Sequence, residues 1–341
     1  MNNEFNPSGF AMKNGNFIGL PYTEENAKIV LLPVPWEATV SYATGTAAGP
    51  ENILDASYQL DLFDADVADA YKIGIFMRPA DQHILELSNS TREIATMHID
   101  NLENGNGFVQ DFVDKVNANS VKVNNWVKEH CAELLKNGKV IGLIGGEHST
   151  PLGYLHALAD KYEDFGILQI DAHCDLRNAY EGFTYSHASI FYNAMEEVKN
   201  ISKLVQVGIR DYCEEEVDYI KNSNGRIEVL YDHAMNEALF VGETYQSICK
   251  SVVDKLPKNV YVSFDIDGLW PNLCPNTGTP VAGGLSLPQA FYLLKTLAES
   301  GRKIIGFDLC EVGSADEWDG NVGARVVYKL ANLMGKTLGL V

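Results

Sequence analysis

The sequence predicts an α/β protein whose mostly parallel sheet is covered by helices on both faces, and three observations carry that expectation. Short apolar runs rich in β-branched residues recur along the chain, each ending in polar or glycine-rich residues. Longer stretches with helical spacing lie between them. No Pro- or Ser-rich linker, internal repeat or low-complexity tract interrupts the series. Strands that alternate with helices build βαβ units, and their crossovers place helices over both faces of a parallel sheet.

The apolar runs are Lys28–Pro33 (KIVLLP), Lys139–Ile144 (KVIGLI), Gly166–Ile170 (GILQI), Leu204–Val207 (LVQV), Arg226–Leu230 (RIEVL), Asn259–Phe264 (NVYVSF) and Lys303–Leu309 (KIIGFDL). Their length and composition suit buried strands. Phe112–Asn137 is the clearest helix, with Val116, Val123, Val127, Cys131 and Leu134 among its apolar positions. Ser286–Glu299 is a second, with Ser286 placed as N-cap and Pro288 in the first turn. Residues 78–110 have weak periodicity and read as an insertion or a loop with a short helix. One domain over residues 1–341 is expected, with 1–27 an N-terminal extension.

Bulk properties narrow the class. Apolar content of 46% and charged content of 21% are those of a soluble globular protein. No apolar run is long enough to span a bilayer, and the start lacks a basic segment followed by an apolar one. Six scattered cysteines without CxxC pairing read as reduced thiols, so a cytoplasmic location is expected. A net charge of −20 argues against nucleic acid, because binding phosphates needs a basic surface. The same charge suits a small cationic partner, and equally suits a surface that merely keeps the protein soluble.

The chemistry gathers where the strands end. Lys139–Ile144 runs into Gly145-Gly146-Glu147-His148, and Gly166–Ile170 into Asp171-Ala172-His173-Cys174-Asp175. The next run leads to Asp265-Ile266-Asp267, and the last to Cys310-Glu311. In an open parallel sheet ligands bind at the carboxyl ends of strands. In extended chain, positions i, i+2 and i+4 share a side, so Asp171, His173 and Asp175 are expected to converge, as are Asp265 and Asp267. Taken singly, Asp-x-Asp is common in solvated loops, and a His after Gly-Gly is an ordinary loop residue. Together, His148 and these five residues form a set of carboxylates that could not all stay ionised without cations between them. Two divalent metals are therefore expected, and mixed carboxylate and imidazole ligands suit Mn²⁺.

The signatures GGEHS, DAHCD, SFDID and TGTPVAGGLS, with the stretches Pro33–Ser57 and Gly306–Val312, resemble the ureohydrolase family of arginase, agmatinase and formimidoylglutamase. The resemblance covers most of the chain. It implies an α/β/α fold around an eight-stranded parallel sheet, and two Mn²⁺ ions whose sites Ni²⁺ or Co²⁺ could also fill. One ion would sit on His148, Asp171, Asp175 and Asp265, the other on His173, Asp171, Asp265 and Asp267. The implied reaction is hydrolysis of a guanidinium compound to urea and an amine, with Asp175, His187 and Glu311 as its catalytic residues. His187 would serve as proton donor or shuttle, Glu311 would grip the guanidinium, and Ser286 would lie near the leaving side. A homo-oligomer, trimer or hexamer, is implied as well.

Specificity rests on smaller signs. Arg177 and Cys213 stand where arginine-hydrolysing relatives carry an Asn and an Asp that hold the amino-acid end. The stretch Asp175–Ser189 looks like agmatinases, and agmatine is a dication that suits an acidic protein. Guanidinobutyrate, guanidinopropionate, arginine, guanidine and formiminoglutamate are the alternative substrates. A non-catalytic binding subunit is the alternative of another class. Two departures from the family pattern are Glu147 in place of Asp, and Trp270, expected to reshape the mouth of the pocket.

Overall fold

The computed structural model describes residues 5–341. Among these, eight strands form one all-parallel sheet: β1 Ile29–Val34, β2 Ile75–Met77, β3 Val140–Gly145, β4 Phe165–Ile170, β5 Ile201–Ile209, β6 Ile227–Tyr231, β7 Asn259–Asp265 and β8 Lys303–Cys310. Their order is β2-β1-β3-β8-β7-β4-β5-β6. The helices are α1 Gly49–Ser57, α2 Gln82–Glu103, α3 Gln110–Lys136, α4 Leu152–Ala159, α5 Ile190–Glu197, α6 Glu214–Asn222, α7 Asp232–Phe240, α8 Tyr245–Asp254, α9 Leu287–Glu299 and α10 Glu317–Thr337. Each predicted strand is present, and β2 is the addition. Three residues long, β2 is too short to leave a periodic signal.

Alternation along the strands divides the core. Leu31 faces a cluster with Ile248, Leu293 and Val326 of α8, α9 and α10. Its neighbours Val30 and Leu32 face a second cluster with Val127, Leu155 and Phe191 of α3, α4 and α5. Because the chain buries both faces of the sheet, the strands read as continuous apolar runs instead of alternating ones.

One sequence expectation needs correction. Residues 78–110 contain the 22-residue helix α2, not a short one. Its buried positions include Ser88, Thr91 and His98, so the inward stripe is only partly apolar and the helical period is diluted. The N-terminal extension, over its described part, is folded in. Phe17, Ile18 and Leu20 are buried, and residues 1–4 lie outside the described chain. Asn16 ties this segment to the edge strand: its amide donates to Leu20 and Ile75 carbonyls at 2.9 and 3.0 Å and accepts from Met77 N at 2.8 Å.

The sheet order sets up the site. Strands β3, β8, β7 and β4 are consecutive in the middle, and their carboxyl ends carry the four candidate motifs. The central strands bring together residues far apart in sequence. Asn16→Ala should lower unfolding free energy by about 1–3 kcal/mol, since it strands buried backbone groups; denaturant titration of variant and wild type checks this.

Candidate metal centre

His148 follows β3 through Gly146, which lies so close to the loop after β1 that a Cβ there would meet Trp36 O at 2.0 Å. The His148 Nδ1 atom lies 3.0 Å from Asp171 Oδ2, 3.1 Å from Asp175 Oδ2 and 3.2 Å from Asp265 Oδ2. Its Nε2 contacts Ser263 Oγ at 2.9 Å, and that hydroxyl donates its only proton to Asp308 Oδ2 at 2.7 Å. Ser263 can therefore only accept from His148, so Nε2 carries a proton and Nδ1 is the nitrogen left to face the carboxylates. Among the described residues Nδ1 has no hydrogen-bond partner. A buried nitrogen facing three carboxylate oxygens needs a positive charge between them, a metal ion or a proton. Spacings of ~3 Å are the edges expected of a set of ligands ~2.1 Å from a hard divalent ion.

A second group adjoins the first. His173 Nδ1 lies 3.1 Å from Asp267 Oδ2 and 3.7 Å from Asp171 Oδ1. Asp171 belongs to both groups, and the carboxylates of Asp171, Asp175, Asp265 and Asp267 are all buried. At ~4 Å, each like-charge pair costs about 4 kcal/mol at an effective dielectric near 20, more than a typical hydrogen bond returns. Burial and the charge of Asp171 push the Asp175 carboxyl up to about 7. Burial and the charges of Asp267 and Asp171 push Asp265 well above the usual range. Burial lowers the imidazoles of His148 and His173, but the carboxylates outweigh it and raise both well above their ordinary value. Without metal, protons take the place that cations would hold. The residues present fit two divalent ions.

Turns, and not extended chain, make this convergence. Asp171–Asp175 leaves β4 as a loop, and Asp175 sits at φ 54°, in the left-handed region. Ile266–Gly268 is a 3₁₀ turn in which Asp265 Oδ1 accepts from Asp267 N at 2.8 Å. Glu311 is also left-handed, at φ 62°. Non-glycine residues held there carry strain and cluster at functional positions. Cys174 is buried in the apolar cluster under the loop.

A cavity of about 480 Å³ opens beside these groups, lined by His173, Asp175, His187, Arg177, Asp211 and Thr279 among others. Burial pushes the His187 imidazole down to about 3, and the charge of His173 adds to that. Glu311 is buried below: Oε1 accepts from His148 N at 2.8 Å, while Oε2 has no partner among the described residues. Oε2 lies 3.0 Å from where a Cβ on Gly278 would stand, one residue from cavity-lining Thr279. The structure does not bring Ser286 to the cavity: its hydroxyl caps α9 with Gln289. Trp270 does not shape the mouth either; it is exposed, with its indole bonded to Gly284 O at 2.8 Å.

The sequence reading missed the supporting residues. Gln169 donates to Asp171 Oδ2 at 2.8 Å and accepts from Gln206 at 2.6 Å on the neighbouring strand. Arg210 clamps the carbonyls of Asp267 and Val281 at 2.6 and 2.9 Å. Polar residues inside otherwise apolar strands were the available signal: Gln169, Gln206, Ser263 and Asp308 all stand in such runs.

Comparison with known proteins agrees with this geometry. The arginase family model matches residues 27–334. The chain is 32% identical to the agmatinase of Neisseria meningitidis, over 97% of this chain and 94% of that one. It is 29% identical to the N(1)-aminopropylagmatine ureohydrolase of Thermus thermophilus, over 94% of each. Among solved structures, the agmatine ureohydrolase of Thermoplasma volcanium is similar with a TM-score of 0.71 at 20% identity, covering 95% of both chains.

Two outcomes follow for metal binding. Because both imidazoles are raised in the metal-free protein, loading should release protons, and affinity should fall as pH drops. Calorimetry in buffers of different ionisation enthalpy would show it. Ser263→Ala should weaken binding of one ion by about 10–100-fold, since it removes the partner of His148 Nε2; competition with a chelator measures the loss.

Proposed function

The chain belongs to the arginase family, and from that premise we propose that it hydrolyses agmatine to putrescine and urea using two divalent metal ions, Mn²⁺ foremost. The observation that carries this reading is the unpartnered Nδ1 of His148 facing three carboxylates, next to His173 and Asp267 and beside a cavity containing His187. His148, Asp171, Asp175 and Asp265 would hold one ion, and His173, Asp171, Asp265 and Asp267 the other. When bound, the pair supplies a water acidified toward neutral pH, which a resonance-stabilised guanidinium carbon requires for attack.

The chain's own residues do the rest. The free oxygen of Glu311, already oriented by His148 N, accepts charge-assisted bonds from the guanidinium and holds it planar at the site. His187 stands at the cavity wall, where it would take a proton from the attacking water and pass it to the departing amine. The exposed Asp211 lines the same cavity and attracts a second positive charge. Arg177, stacked 5.0 Å over Tyr180, faces the same space and does not recreate the asparagine of arginine-hydrolysing relatives. A second reading, an agmatine extended by a further aminopropyl group, is favoured by the relatives of that name and by the open cavity.

Urea release from agmatine, aminopropylagmatine, arginine and guanidinobutyrate by the Mn²⁺-loaded protein tests these readings. Agmatine should be the best substrate. Glu311→Gln should lower kcat/KM by about 10²-fold or more, because charged hydrogen bonds to the substrate are lost. Preference for the aminopropyl compound would move the second reading to the front. Urea from none of the four would sink the proposal.

A further inference from the structure

Glu147 is buried completely and lies outside the proposed ligand set. Three donors converge on its carboxylate: Thr39 N to Oε2 at 2.7 Å, Thr39 Oγ1 to Oε1 at 2.9 Å, and Ser149 Oγ to Oε1 at 2.6 Å. The Thr39 hydroxyl has one proton, and Glu147 takes it. Its oxygen is then left to accept, from His187 N at 3.1 Å and from His187 Nδ1 at 3.4 Å. Thr39 is fully buried in the loop after β1 and cannot turn away. Helix α2 pins that loop: Ser88 Oγ accepts from Glu37 N at 2.8 Å, and Arg92 donates to the carbonyl of Val40.

We propose that Glu147, acting through Thr39, is a positioning residue that fixes the tautomer of His187, with the proton on Nδ1 and the lone pair of Nε2 left to exchange protons in the cavity. The proposal rests on the functional reading above for its kinetic consequences, but not for the tautomer itself. The chemistry of the pair is directional. With Glu147 ionised its carboxylate takes the hydroxyl proton, so the only bond open between the hydroxyl and Nδ1 is one that Nδ1 donates. A glutamine at 147 would have to place its NH₂ at the Oε1 position, because Oε2 faces the N–H of Thr39. That NH₂ would donate to Thr39 Oγ1, the hydroxyl would turn to donate to Nδ1, and the proton of His187 would move to Nε2.

Glu147→Gln is nearly isosteric and so separates this role from packing. With agmatine it should lower kcat by about 10²-fold, the scale of a lost proton-transfer group, with KM and bound metal little changed. Thr39→Val should match it, and Thr39→Ser, which keeps the hydroxyl, should restore most of the rate. In a His187→Asn background Glu147→Gln should change kcat by less than about twofold, since both substitutions act on one step. The tautomer is read independently from ¹⁵N-histidine spectra of the zinc-loaded protein, where Nδ1–H is expected in the wild type and Nε2–H in Glu147→Gln. A wild-type proton on Nε2, or full additivity of the two substitutions, would overturn the relay. If the wild type releases no urea from agmatine, the functional reading fails alone, and the spectra still decide the relay.

Discussion

Repulsion among four buried carboxylates governs this structure. Asp171, Asp175, Asp265 and Asp267 stand within one small volume, and no fold would hold them there for stability's sake. The surrounding architecture is best understood as what keeps that arrangement in place. Four adjacent central strands supply the points of attachment, and short turns aim the side chains. Behind them neutral hydrogen-bonding groups hold three of the candidate ligands: Gln169 on Asp171, Ser263 on His148, and Ala172 N on Asp267. Left-handed backbone at Asp175 and Glu311 marks where the chain accepts strain to face the same point.

The sheet was legible because parallel strands buried on both faces leave apolar runs that no surface element imitates. The site was legible for a related reason: polar residues placed directly after such runs stand out. What failed was local geometry. Treating Asp171–Asp175 as extended chain brought these side chains together for a wrong reason, since a left-handed turn at Asp175 produces the convergence. Helix α2 escaped because Ser88, Thr91 and His98 interrupt its buried face between Ile84 and Ile99 and carry little hydrophobic signal. Ser286 shows the converse: its capping role followed from neighbouring residues, while the binding role carried over from relatives is not supported by its position.

Specificity is harder to read from sequence because the cavity wall is assembled from loops. Tyr42, Arg177, Asp211 and Val281 come from four separate connections, and none belongs to a periodic element. Charge at such a mouth selects by difference. For the proposed substrate, Asp211 would favour a distal amine, whereas Arg177, paired with no carboxylate among the described residues, would disfavour one close to its own guanidinium. Under the proposed function, the two together would discriminate by the length and direction of the substrate's tail, more than by its total charge.

Glu147 connects this surface chemistry to the buried frame. A carboxylate in the interior is costly unless its acceptor sites are filled, and three donors fill them here. Two of the three come from Thr39, whose position depends on Trp36 lying against Gly146 and on α2 gripping residues 37–40. Disturbing α2 would therefore reach His187 without touching any ligand of the metals. The helix that the sequence concealed is mechanically upstream of the imidazole that the sequence announced. A glutamate after Gly146 then reads as part of a coherent device: its side chain reaches the Thr39 amide and hydroxyl together, so that one buried charge sets the loop and the direction of a proton.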